Sequence, residues 1–119
     1  MESKEFIRGI VKTLILKLLS QKQQMYGYEI TQRVEELSKG EIKLTYGALY
    51  PILYKLEADG LLVTSTEVVD NRARKYYSLT PEGKKLAKEK VSELQRFTEI
   101  LKGILGDRSK HQMTITSWI

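Results

Sequence analysis

Apolar residues recur at helical spacing in four segments of the chain. The segments cover about residues 5–20, 25–40, 45–60 and 81–105. The first carries an apolar stripe that is wider than one packing contact needs, which predicts a helix buried on two sides. Gly40, Gly60 and Gly106 can end the last three helices, while Thr45 and Thr80 can cap the third and fourth.

The periodicity changes to two between the third and fourth helices. "LLVTSTEVV" and "RARKYYSL" are rich in β-branched and aromatic residues, and they flank Asp70 and Asn71, so we predict a hairpin with its turn there. "EIKL", residues 41–44, is predicted as a short strand. The fold class is therefore mainly α with a small β-hairpin (α+β), in winged helix-turn-helix order. The expected divisions are 1–80 for the winged helix, 81–105 for a dimerisation helix and 106–119 for a tail.

The third helix contains an unusual combination of residues. On a helical wheel, Leu49, Ile52, Leu53 and Leu56 form the buried side, Gly47, Pro51 and Lys55 face away, and Tyr46, Tyr50 and Tyr54 lie along the border. In one interpretation, Pro51 lies near the helix start, where its missing donor costs little, and the tyrosines edge the core. In the other, the small outward face sits against a ligand surface. Broken local rules often mark functional sites.

The chain has a formal net charge of +5, and the charge is unevenly distributed. Residues 71–90 contain seven bases and two acids, and the difference of five accounts for the whole excess. A polyanionic partner and a solvated lysine-rich helix face both fit this pattern. The absence of cysteine removes thiol chemistry and fits a cytoplasmic location. No apolar run is long enough for a bilayer, no membrane partner is expected, and the first residues do not form a signal peptide.

Double-stranded DNA fits these features as a partner. The tyrosine hydroxyls and Lys55 can reach phosphate oxygens, Pro51 can contact a thymine methyl group, and arginines beside a tight turn suit a narrow groove or a run of phosphates. An ordinary solubilising strand edge is the alternative for the hairpin arginines. The candidate DNA-binding residues are Tyr26, Lys43, Thr45, Tyr46, Gly47, Tyr50, Pro51, Tyr54, Lys55, Arg72, Arg74 and Lys75.

Three motifs resemble those of PadR-type transcriptional regulators: "YGYEI", "YGALYPILYKLEADGLL" and "RKYYSLTPEGK". The resemblance covers about residues 5–105. It implies a winged-helix repressor that dimerises through its terminal helices, with the third helix in the major groove and the wing alongside. It also implies a small hydrophobic or aromatic effector, which some members stack on a tryptophan of the last helix. Here Leu94 occupies that position, so the effector stays open, as does the role of Trp118 in the tail.

The last helix has a heptad-like apolar seam, with a second apolar stripe beside it that includes Ile100 and Ile104. A small domain can cover one stripe, so the other predicts a homodimer that would bind a pseudo-palindromic operator. A helix that closes one larger core is the alternative. The candidate interface residues are Ile7, Val11, Leu14, Ala87, Val91, Leu94, Phe97, Thr98, Leu101 and Leu105.

Two other function classes are alternatives to a DNA-binding regulator. An enzyme would need a positioned acid, base, nucleophile or metal, but the only histidine, His111, stands alone in the tail, so no catalytic residue, metal or cofactor is expected. A winged-helix module that binds protein or RNA is the second alternative, because exposed tyrosines also suit interfaces. Steep weakening by salt would favour duplex DNA over a protein partner.

Overall fold

The computed structural model describes residues 7–106. Its elements are α1 (Val11–Gln21), β1 (Met25–Tyr26), α2 (Gly27–Leu37), α3 (Tyr46–Ala58), β2 (Leu62–Val69), β3 (Arg72–Leu79) and α4 (Pro81–Leu105). The predicted mainly α fold with a β-hairpin is confirmed. The first helix differs from the expected 5–20, because a turn at Gly9 and Ile10 separates helical Ile7 and Arg8 from α1. Residues 5 and 6 and tail residues 107–119, with His111 and Trp118, lie outside the described part.

Within residues 7–106 the sheet has three strands, and the strand that joins the hairpin is Met25–Tyr26 and not the predicted residues 41–44. Its order is β1-β3-β2, fully antiparallel, with Met25 opposite Tyr77 and Tyr26 opposite Tyr76. The strand predicted at residues 41–44 is wrong, since that segment is a loop before α3. There the amide of Ile42 donates to the Ser38 hydroxyl at 2.9 Å, so a side chain takes the donor that a strand ladder would use.

The hairpin between β2 and β3 turns where the sequence predicted. Asp70 and Asn71 both have left-handed backbone conformations, with φ of 52° and 62°, and Val69 pairs with Arg72 across them. Two consecutive positive φ angles are the signature of a type I′ turn, whose twist matches that of the flanking strands. The turn therefore fixes the strand register and the face on which each wing side chain lies.

The helix ends also follow the sequence. Thr45 caps α3 by accepting from the Ala48 amide at 3.2 Å, and Thr80 caps α4 by accepting from the Gly83 amide at 3.0 Å. Gly83 packs against the backbone of Leu61 so closely that a Cβ there would overlap the Leu61 carbonyl. The start of α4 therefore packs in close backbone contact with the segment that joins α3 to β2.

Helix α1 lies at the centre of the molecule and contacts α2, β3 and α4. These neighbours bury Val11, Ile15, Leu16, Leu18 and Leu19, so contacts within the chain account for the wide apolar stripe. Helix α4 has 25 residues and is about 37 Å long. Its two halves differ in burial. Gly83 and Ala87 are buried, but every residue from 95 to 106 is exposed. The second half of α4 therefore extends beyond the core.

Candidate functional site

The outward face of α3 is small and exposed. Leu49, Leu53 and Leu56 are buried in the core, whereas Gly47, Ala48 and Pro51 are open to solvent. A Cβ added at Gly47 would meet only the Thr45 hydroxyl oxygen, at 3.9 Å, so space is available around this position. The face therefore presents backbone close to its surface and carries little side-chain bulk.

Pro51 lies inside α3 and not at its start. It is the sixth residue of the helix, so its missing N–H removes the bond that would reach the Gly47 carbonyl. This position corrects the interpretation that placed Pro51 near the helix start. Because Gly47 and Pro51 are both exposed, water or a ligand can reach the Gly47 carbonyl from the open side.

The three tyrosines form a continuous row along α3. The ring centroids of Tyr46 and Tyr50, and of Tyr50 and Tyr54, are each 5.7 Å apart. Tyr46 and Tyr54 are about half exposed, whereas Tyr50 is half-buried with its hydroxyl directly against Gly27, where a Cβ would overlap it. Burial, with smaller contributions from Tyr46 and Tyr54, raises the pKa of Tyr50.

Two lysines predicted to bind DNA form ion pairs with acidic residues of α3 or its C-cap. Lys55 Nζ lies 3.3 Å from Asp59 Oδ1, and Lys75 Nζ lies 3.7 Å from Glu57 Oε1. Glu57 also accepts from the Thr64 hydroxyl at 3.4 Å, so one carboxylate joins α3 to both wing strands. These pairs are partly exposed, and their contribution to stability is small. Each pair places a carboxylate beside the lysine ammonium group. Lys55 and Lys75 therefore present less net positive charge to a phosphate than unpaired lysines would.

The opposite face of the wing carries Arg72, Arg74 and Tyr76, as the period of two predicted. Arg72 is exposed beside the turn. Arg74 lies over the Tyr26 ring, with its Cζ 4.6 Å from the ring centroid, and Tyr76 meets the same ring edge-on at 5.4 Å. Interaction with the Tyr76 hydroxyl is the main cause that raises the pKa of Arg74. The pairing of β1 with β3 therefore brings Tyr26 and Arg74 together, although they are distant in sequence.

The predicted dimer contacts separate into three groups. Val11 and Ala87 are 3% and 2% exposed, so they belong to the core of the chain itself, which corrects their assignment to an interface. Ile7, Leu14, Val91 and Leu94 are half-buried. Phe97, Thr98, Leu101 and Leu105 are exposed on the projecting half of α4, together with Ile100 and Ile104. A groove of about 480 Å³ between the start of α1 and α4 is lined in part by Leu94 and Phe97.

The remaining predicted residues, Lys43 and Thr45, precede α3, where Thr45 serves as its N-cap. Gly27, Glu57 and the contact of Gln24 with Glu67 were not predicted, because their partners are distant in the chain and no local pattern marks them. Within residues 7–106 there is no cluster of three metal-ligating side chains. In the same range, no helix combines the length and hydrophobicity that a bilayer crossing requires.

The three-helix unit, the exposed face of α3 and the adjoining hairpin define a winged helix-turn-helix protein. Comparison with known proteins gives the family. The model of the "Transcriptional regulator PadR-like family" matches residues 15–89, and the chain belongs to this family. It is therefore a DNA-binding transcriptional regulator and not an enzyme.

Individual relatives agree with this assignment. The chain is 39% identical over 106 residues to the transcriptional regulator Rv3488 of Mycobacterium tuberculosis, covering 89% of this chain and 92% of the relative. A transcriptional regulator from Clostridium thermocellum has a similar structure, with a TM-score of 0.74, 30% identity, and coverage of 83% and 96%. A PadR family regulator from Clostridium difficile gives a TM-score of 0.70 at 31% identity, with coverage of 82% and 99%.

Proposed function

We propose that the chain is a cytoplasmic, homodimeric repressor that binds a pseudo-palindromic operator in double-stranded DNA. In this proposal, α3 enters the major groove and the wing lies along the neighbouring backbone. The observation that carries it is the exposed face of Gly47, Ala48 and Pro51, edged by phenolic hydroxyls and joined to a basic hairpin. Such a face allows close approach to base edges, while the surrounding hydroxyls contact phosphates.

Each part of the surface has a separate role in this proposal. Tyr46 and Tyr54 donate to phosphate oxygens, and Pro51 packs on a thymine methyl group. Lys43, at the start of α3, and the wing residues Arg72 and Arg74 supply the charge. Lys55 and Lys75 contribute less, because each already faces a carboxylate. Sequence preference therefore comes from α3, and most of the salt dependence comes from Lys43 and the arginines.

The dimer is supported by the apolar residues on the projecting half of α4. Phe97, Ile100, Ile104 and Leu105 are all about half exposed or more, which is unusual for a monomer surface. In the proposal, residues 81–105 pair with a second copy and residues 1–80 bind DNA. Two-fold symmetry then presents two copies of α3 to two half-sites. The groove beside Leu94 and Phe97 is where a small hydrophobic effector would act.

The test begins with selection of duplexes from a random-sequence DNA library, because the operator sequence is unknown. The proposal expects two protected half-sites about one helical turn apart in the selected duplex. It also expects log K to fall against log salt with a slope near −0.9 for each phosphate contact. Failure to enrich any sequence, or binding by a single copy, would contradict the proposal.

A winged-helix module that binds protein or RNA is the second candidate. It is favoured by the exposure of Tyr46 and Tyr54 and by the pairing of Lys55 and Lys75 with acids, which lowers the positive potential. The same measurements separate the two candidates. A protein partner predicts weak salt dependence, and an RNA-binding module predicts tighter binding to single-stranded or duplex RNA than to the selected DNA.

A further inference from the structure

Tyr26 is held in place by two elements at once. Its backbone pairs with Tyr76 in the sheet, and it immediately precedes α2. Its amide donates to the Glu29 carboxylate at 3.2 Å, and Glu29 is itself paired with Lys22. The backbone of Tyr26, from which the ring projects, is therefore held by the helical body of the protein as well as by the wing.

The Tyr26 ring contacts two wing residues on one face of β3. Arg74 and Tyr76 are two residues apart, so both project from the same side of the strand. Tyr76 meets the ring edge-on, and the Arg74 guanidinium lies over it with Cζ 4.6 Å from the centroid. An arginine stacked in this way keeps its in-plane N–H donors clear of the ring. One side of the Arg74 guanidinium interacts with the Tyr76 hydroxyl, and the remaining donors match the geometry of phosphate.

An arginine on a free hairpin would sample many rotamers, and a bound phosphate would have to select one of them. The stack instead holds the guanidinium at a defined position relative to the helices. We propose that Tyr26 is a positioning residue that orients Arg74 on the wing for a phosphate of duplex DNA. Tyr26 thus acts through Arg74, which revises its assignment as a direct DNA contact. The inference rests on the proposed function.

A double-mutant cycle tests this coupling. Tyr26→Leu removes the ring, and Tyr26→Phe keeps it. Each is made in the wild-type chain, in Arg74→Ala and in Arg72→Ala, where Arg72 is a neighbouring wing arginine on the same strand face. Affinity is measured by fluorescence anisotropy over a range of salt concentrations, with the duplex selected by the wild-type protein.

In the wild-type and Arg72→Ala backgrounds, Tyr26→Leu should weaken binding about two- to fivefold, the size of one exposed cation–π contact. In the Arg74→Ala background the same change should have no further effect. Tyr26→Phe should restore most of the affinity lost in Tyr26→Leu. Non-additivity with Arg74 but not with Arg72 is a result that general destabilisation would not produce.

A second measurement needs no DNA. The Arg74 Nε–H resonance in the NMR spectrum should carry a ring-current shift, which Tyr26→Leu removes and Tyr26→Phe retains. If Tyr26→Leu weakens binding equally in all three backgrounds, or if the Arg74 resonance does not change, the inference is overturned while the proposed function stands. If the wild-type protein binds no duplex at low salt, the proposed function fails and the inference fails with it.

Discussion

Tyr77 shows how a single residue connects the wing to the core. It is 1% exposed, and its hydroxyl is buried without a hydrogen-bond partner among the described residues. Burial, with smaller contributions from Tyr54, Tyr50 and Glu57, raises its pKa to about 12. A buried hydroxyl without a partner costs free energy that an apolar ring of the same shape would not.

Tyr77→Phe should therefore leave the free energy of unfolding at pH 7 unchanged or raise it by about 1 kcal/mol. The pH dependence has a definite sign. Between pH 10 and pH 12 the phenol of the unfolded chain loses its proton while that of the folded chain keeps it, so wild-type stability falls as pH rises. Urea unfolding should show a smaller loss in Tyr77→Phe over this range.

Tyr28→Phe is the matched control, because the Tyr28 side chain is 52% exposed. It should lose stability with pH as the wild type does. A Tyr77→Phe variant that unfolds much more readily at pH 7 would mean that the hydroxyl has a partner, such as a buried water molecule.

At the scale of an element, α3 combines features that weaken a helix. Gly47 lowers helix propensity, and Pro51 removes a backbone hydrogen bond. Neither residue contributes to the core, because both are exposed. Their cost is offset by the Thr45 cap and by the burial of Leu49, Leu53 and Leu56. A helix that keeps such residues on its open face is consistent with selection for function at the expense of stability.

Gly47→Ala tests this interpretation, because stability and binding should change in opposite directions. The added methyl group meets open space, so the free energy of unfolding should rise by about 0.5 kcal/mol. If α3 approaches base edges closely, the affinity for the selected duplex should fall by about tenfold. Denaturant unfolding and anisotropy measure the two effects.

The control for Gly47→Ala is Ala58→Gly, at the exposed end of the same helix. It should lower stability, and it should change affinity by less than twofold. Unchanged affinity in Gly47→Ala would show that this face does not lie against DNA.

At the scale of the whole molecule, the projecting half of α4 leaves several large apolar side chains exposed. Ile104 and Leu105 are 73% and 79% exposed, and Phe97 is 53% exposed. The first half of α4, by contrast, is held by Gly83 and Ala87 in the core. A partner that covers the second half would complete the apolar surface.

Ile104→Glu should therefore weaken dimer formation without unfolding the chain, because the Ile104 side chain is solvent-exposed in the single chain. Sedimentation equilibrium should show a dimer dissociation constant that is higher by at least about tenfold, since a carboxylate would be desolvated at the interface. Gln95→Glu, on an exposed polar position of the same helix, is the control and should leave the dimer intact. A wild-type protein that sediments as a monomer would contradict the proposed assembly.

Local signals in the sequence were sufficient for several elements. The Asp70–Asn71 turn, the Thr45 and Thr80 caps and the buried side of α3 each depend on residues within a few positions of one another. The strand predicted at 41–44 failed, because the Ser38 hydroxyl takes the Ile42 amide, a contact that periodicity does not reveal. The same holds for the candidate site. The outward face of α3 was predictable from local periodicity, but the pairing of Lys55 with Asp59 and of Lys75 with Glu57 was not.

What the sequence determined by itself was the set of helices, the hairpin and the face of α3 that avoids the core, since these follow from periods of 3.6 and 2 and from turn chemistry. Only the tertiary structure decided that Met25 and Tyr26 form the third strand, because that strand exists only where β3 offers it a partner. Tertiary packing also placed Val11 and Ala87 in the core of the chain and brought Arg74 onto the Tyr26 ring. Such contacts join residues far apart in the chain, and no local pattern records them.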